Sequence, residues 1–442
     1  MKFFCIFLIL FLLNSCSFDK NSGIWQNENN PSLNQDDLIF KDFKKVSSTS
    51  ETFNEIIPID SKIKLNINKP FQNNLWTDIF YNQSNNLINF KYSNLNQLNF
   101  KSKKLTKSKV NDYILFEKNN LILSDIKGNL IVYSVKNNSI KSNFNFYKKK
   151  YKKTKKLLNL IVEKNIIYVS DNIGYAYAYN YETNKMLWAK NYKIPFRSNI
   201  KLLSDKVILA NQNNDLFIID KLTGVLNKKI PSEETIINNS FVNNISLNKN
   251  EIFFLNTYGS LYSINNKNLR FNWFINLNKT LNLDLSNLFF GSELVNFNGK
   301  ILVSSDQHFY IINSLTGTIL SKKNFSLISK PIISNNIIFL VTKNNLLIAI
   351  DADKGKIIYS YDVRKKIAEF INSKKNKLEI NNLMLVENKL FIFLKSSYVV
   401  QFNLSGDIEN INKLPHFIAT QPIFIDNSLL YLDKKNRLIV VN

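Results

Sequence analysis

The chain has 442 residues, 45% of them apolar, and a formal net charge of +24, which supplies ample core and excludes a globally disordered chain. It holds 10 glycines where a usual frequency predicts about 31, which argues against a Gly-rich phosphate-binding enzyme, and two His and two Cys leave little for metal sites, His-based catalysis or disulfides. The positive charge is nearly all Lys, with Arg only at 197, 270, 364 and 437; sequence-reading nucleic-acid sites lean on the bidentate Arg fork, so no nucleic-acid partner is expected and the charge biases the chain toward anionic surfaces instead.

Lys2 precedes an unbroken apolar run over residues 3–13. Eleven residues are too few to span a membrane but suit the apolar region of an export signal. The run ends in Leu13-Asn14-Ser15-Cys16, which resembles the lipobox of bacterial lipoproteins. The resemblance implies cleavage before Cys16, lipidation of Cys16 and, with Ser17 next, the outer membrane. Cys5 then leaves with the signal (residues 1–15), so the mature chain has no disulfide. Residues 16–60 are rich in Asn, Ser and Asp without sustained periodicity, and read as a disordered tether. The first 60 residues carry a net −3, so residues 61–442 carry +27.

The body, residues 61–442, reads as a repeat array. Each unit is a short apolar strand, a second strand, a small polar turn, a third strand, another turn and a fourth strand. The clearest copy runs from Asn165 through Asp171-Asn-Ile-Gly174 to Trp188; another runs from Asn250 through Asn256-Thr-Tyr-Gly259 to Trp273. The polar residue opening the first turn recurs at Asp125, Asp171, Asn211, Asn256, Asp306, Thr342, Lys395 and Asp433, at intervals averaging 44 residues. That is the period of a four-stranded propeller blade. The strands are β-branched or aromatic and apolar on both faces. Asn213-Asn214 and Asn344-Asn345 stand where other copies have Gly, since Asn also tolerates a left-handed backbone. Eight landmarks predict an all-β, eight-bladed β-propeller, with seven blades as the alternative. The last copy lacks a strand, and residues 87–93 are the expected donor that closes the ring.

The turn at Asp171-x-x-Gly174, the following Thr183-Asn184-Lys185 and Trp188 resemble the PQQ-like propeller repeat; Thr223-Gly224, Thr316-Gly317 and the 351–355 turn are further copies of its second turn, and Tyr359 stands for the closing Trp in a third copy. With the lipobox, and with Phe71-Gln-Asn-Asn-Leu-Trp76 as a lead-in, the array resembles the BamB-like family of outer-membrane assembly lipoproteins. That resemblance implies a non-catalytic scaffold that binds the barrel insertase and other subunits of its complex and assists outer-membrane protein insertion. It implies a periplasmic, lipid-anchored location and a monomer within a hetero-complex. It also points to Ile194-Pro195-Phe196-Arg197 as the partner-contact loop. Quinoprotein dehydrogenases share the fold and are the enzyme alternative. They hold a quinone with calcium on the ring axis, many beside a vicinal disulfide; this chain offers no Cys pair and no clustered acids. A ligand-binding propeller is the third class, because the sequence leaves the axis undetermined. His308 and His416 read as solvated loop residues, and no catalytic residue, metal or cofactor is expected. One motif stands outside the resemblance: Lys148, Lys149, Lys150, Lys152, Lys153, Lys155 and Lys156, seven Lys in nine residues, expected to contact anionic headgroups at about 1 kcal/mol per Lys near such a surface.

Overall fold

The computed structural model describes residues 52–147, 149–233, 242–278, 289, 291, 293–372 and 379–442. Its sheets form eight blades. Blades 1 to 7 are antiparallel meanders over residues 110–145, 158–191, 201–230, 244–276, 295–323, 332–362 and 380–413. Blade 8 takes three strands from residues 423–441 and its fourth from Leu98–Lys101. In a meander the first strand lies innermost, the links between blades and the turns between second and third strands share one face, and the other hairpins share the opposite one. We call these the upper and lower faces.

Middle strands such as Asn120–Asp125 and Ile337–Val341 are buried at every position, because both of their faces meet neighbouring blades. Each such Leu, Ile or Phe contributes about 1.5–3 kcal/mol by leaving water. Outer strands such as Lys185–Asn191 are mostly exposed. The polar landmark residues hold the upper turns. Asp171 Oδ1 accepts from the backbone N–H groups of Ile173, Gly174 and Tyr175 at 2.8–2.9 Å, and Asp125, Asn211, Asn256 and Asp433 do the same for their own turns. In blade 5 the role falls to Ser305, whose Oγ accepts from Gln307 and His308, and not to Asp306. Asn214 and Asn345 adopt φ of 66° and 65°, as expected of glycine substitutes.

Neighbouring blades dock through an aromatic ring on a glycine. The Trp188 ring covers Gly224 and its Nε1 donates to the Lys221 carbonyl (3.0 Å); Trp273 covers Gly317 and donates to Ser314. In the third copy Tyr361, one pair beyond Tyr359, lies closest to Gly406.

The ring closes with an N-terminal strand, but not with residues 87–93. Leu98–Lys101 pairs antiparallel with Leu438–Val441. Asn89–Phe90 instead pairs parallel with the innermost strand of blade 7, which places it on the axis. A second correction concerns residues 52–60, expected within the tether. Phe53 donates to the Asn324 carbonyl, and Ile57 exchanges backbone hydrogen bonds with Ser360 on the outer strand of blade 6. These residues therefore cover part of a blade edge.

Candidate functional site

Innermost strands of a propeller splay around the axis and leave N–H and C=O groups facing inward. Buried, such groups need partners. Residues 71–93 supply them as a loop whose ends meet: Phe71 N–H donates to Asn89 O (2.8 Å) and Lys91 N–H to Phe71 O (2.9 Å). The loop touches all eight blades in turn. Trp76 and Phe116 exchange backbone hydrogen bonds in blade 1, and Val162 of blade 2 donates to Thr77 O. Gln83 Nε2 donates to Leu202 O of blade 3, and Leu247 N–H of blade 4 to Gln83 O. Asn85 Nδ2 bridges the Ile245 and Leu294 carbonyls of blades 4 and 5 at 3.0 and 2.7 Å. Asn86 both donates to and accepts from Ile333 of blade 6. Blade 7 pairs with Asn89–Phe90, and Asn73 Nδ2 reaches Phe424 O of blade 8 (2.9 Å). Trp76, Phe90 and Phe424 stack along this plug, with centroids 5.4 and 5.7 Å apart.

Among the described residues, one ion pair lies inside the ring. Lys201 Nζ, fully buried, sits 2.6 Å from Asp78 Oδ2 of the plug. It also donates to Asn82 O (2.7 Å) and Asn85 Oδ1 (2.5 Å), so its three N–H donors are satisfied. Burial lowers its pKa against the opposing pull of Asp78.

The plug contacts the lower halves of the innermost strands, so the axis is a funnel open at the upper face. It has two adjoining lobes of about 120 and 350 Å³, both bordered by Ile79 and Phe80 of the plug and by Tyr113, Glu293 and Ser329. Lys330 lines the smaller lobe; its Nζ donates to Phe80 O (3.0 Å), and burial pushes its pKa down to about 8. These residues do not fit a quinone held with calcium. No group of three or more His, Cys, Asp or Glu able to hold a metal occurs among the described residues, and the plug fills the lower axis.

Both loops singled out from sequence join blades, so both lie on the funnel's face. In the 194–197 loop Phe196 is 2% exposed and packs edge-to-face with Tyr192 and Phe217. It is a core residue and not a partner contact. Ile194 and Pro195 are half-buried; the Ile194 backbone crosses Gly174, where an added Cβ would lie 3.0 Å away, and Pro195 O accepts from Gln212. Arg197 is half-exposed, its Nε donates to Gln212 Oε1 (3.1 Å), and partial burial lowers its pKa. In the lysine loop Lys149, Lys152, Lys153 and Lys155 are exposed. Lys156 corrects the expectation: it is 2% exposed, donates to Tyr151 O and lies over the Tyr147 ring. Burial lowers its pKa, and its ammonium is spent on Tyr151 O inside the loop, away from any surface. Lys148 and the Lys150 side chain lie outside the described residues, as does Cys16.

The plug and Lys201 carry no sequence signal of their own. Asn73 and Trp76 were visible as part of the lead-in segment, but the amide-to-carbonyl contacts that define the plug span up to 351 residues of sequence.

The family model described as outer membrane protein assembly factor BamB matches residues 114–361. A search of curated proteins finds no match. Among solved structures, BamB from Moraxella catarrhalis aligns with a TM-score of 0.61 at 11% identity, covering 78% of this chain and 99% of that one. The quinohemoprotein alcohol dehydrogenase from Comamonas testosteroni aligns with a TM-score of 0.61 at 10% identity, covering 83% and 80%. The computationally designed Ika8 protein gives 0.59 at 12%, covering 78% and 99%. At these identities the structures share the fold alone.

Proposed function

The chain belongs to the family of the outer membrane protein assembly factor BamB, and on that premise we propose that it is a non-catalytic scaffold lipoprotein of the machinery that inserts β-barrel proteins into the outer membrane. The family match across residues 114–361 carries this reading. The propeller is the rigid part: eight blades tied at the rim by ring closure and at the axis by one plug. Its partners are the insertase and the other subunits of the complex, within which the chain is a monomer. Lipid on Cys16 holds it to the periplasmic side of the outer membrane. The plug also bears on the dehydrogenase alternative, because it occupies part of the axis where such enzymes hold their quinone.

The upper face is the docking surface in this proposal. Arg197 is its anchor, since Gln212 fixes the guanidinium in a half-exposed position and a pre-positioned Arg loses little entropy on binding. Ile194 and Pro195 flank it, while Phe196 supports the loop from below. An Arg197→Glu variant is expected to fold with an unchanged melting temperature and to lose co-purification with the insertase. Undiminished co-purification would remove this loop from the interface.

The exposed lysines at 149, 152, 153 and 155 give the same face a second role, contact with anionic headgroups. At about 1 kcal/mol each near such a surface, four charges are enough for salt-sensitive binding. The unlipidated protein is expected to co-sediment with vesicles containing anionic lipid at low salt and to be released at high salt. Replacing the four with Glu should abolish binding; vesicle binding that ignores salt would count against the idea.

A further inference from the structure

We propose that the axial funnel is a binding site for a small zwitterion, an α-amino acid with an apolar side chain. This goes beyond the scaffold reading and does not depend on it. The plug turns the axis into a dead end, so a molecule entering from the upper face meets a floor made by Ile79 and Phe80. Two opposite charges stand beside that floor with hydrogen-bonding capacity left over. Lys330 has three N–H donors and one protein acceptor, the Phe80 carbonyl at 3.0 Å. Glu293 makes no hydrogen bond or ion pair among the described residues, yet its charge acts on Lys330. The two therefore face one cavity and stand farther apart than a salt bridge.

The chemistry of the occupant follows from these two groups. A simple anion would satisfy Lys330 and be repelled by Glu293; a simple cation would meet the reverse. A zwitterion satisfies both at once. Its carboxylate accepts from Lys330 Nζ, and its ammonium donates to Glu293. Leu87, Met384 and Ile423 line the smaller lobe and suit an apolar side chain. The remaining charges near Lys330 are Lys201 and Asp78, which neutralise each other in the ion pair below.

The test is calorimetric titration of the full-length protein in detergent with L-leucine, and with its two halves, 4-methylpentanoate and isopentylamine. Saturable 1:1 binding of leucine is expected, with each half weaker by about tenfold or more, the worth of one charged hydrogen bond. Lys330→Gln and Glu293→Gln are each expected to lower leucine affinity by a similar factor. If either variant fails to fold, the comparison of whole and half ligands on the unaltered protein still decides. No saturable heat up to about 10 mM leucine, equal binding of either half, or unchanged affinity in the folded variants would each overturn the proposal.

Discussion

Asp78 and Lys201 meet on the ring axis with 4% and 0% side-chain exposure. Each is tolerable there only because the other is present. Taking both charges out of water is expensive, and removing one partner of such a pair costs about 3–5 kcal/mol because the other stays buried and uncompensated. Asp78→Ala is therefore expected to lower stability by about that amount, and adding Lys201→Met to it should restore much of the loss. Equilibrium urea unfolding measures both. A single variant within about 1 kcal/mol of the parent, or a double variant worse than the single, would show that the pair does not hold the plug. This residue scale was the least legible from sequence. One Lys among 54 carries no mark that it will be buried, and the same holds for Lys156, which the charge run disguised as a surface residue. The turn residues were legible because their task is local. An Asp or Asn that accepts from N–H groups two to four residues onward needs no distant partner, so Asp171 and Asn211 stand out in any copy.

At the scale of elements, the docking of an aromatic ring on a turn glycine joins one blade to the next. Gly224 has φ of 68°, and a Cβ there would lie 2.4 Å from the Trp188 ring. Gly299 has a similar φ of 78° with nothing within 4 Å. The two positions separate backbone strain from steric conflict. Gly299→Ala should cost about 1 kcal/mol, the strain of a left-handed L-residue. Gly224→Ala carries the same strain and must also displace Trp188, which breaks the hydrogen bond to Lys221 O, so a loss of about 2–4 kcal/mol is expected. Equal unfolding midpoints for the two variants would sink the docking account. Blade period and turn chemistry made the blades legible, whereas the closing strand differs from the expected one for a physical reason. Outer strands are mostly exposed, so Leu98–Lys101 shows little apolar pattern. Residues 87–93 are apolar because they pack on the axis, and their pattern looked like that of a blade strand.

For the whole molecule, the N-terminal segment performs two separable tasks, and their separation is testable. Leu98–Lys101 closes blade 8 at the rim, while residues 71–93 tie the eight innermost strands at the axis. A chain beginning at residue 95 keeps the closing strand and loses the plug. It is expected to fold as a ring and unfold in one transition at lower denaturant, because the inner carbonyls and Phe424 lose their partners and water enters the axis. A chain beginning at residue 106 loses the closing strand too. Blade 8 then presents Leu438–Val441, all four residues buried in the intact ring, as an apolar unpaired edge, which is a template for pairing with another chain. Broad unfolding and concentration-dependent oligomers are expected for this second truncation. Size-exclusion chromatography and urea titration distinguish the two. If the chain from 95 matched the parent in midpoint, the plug would be a passenger in the channel, with the blades stable without it. If the chain from 106 stayed monomeric with a single sharp transition, rim closure would be dispensable, and stability would have to reside in the contacts between neighbouring blades, above all those of Trp188 on Gly224 and Trp273 on Gly317.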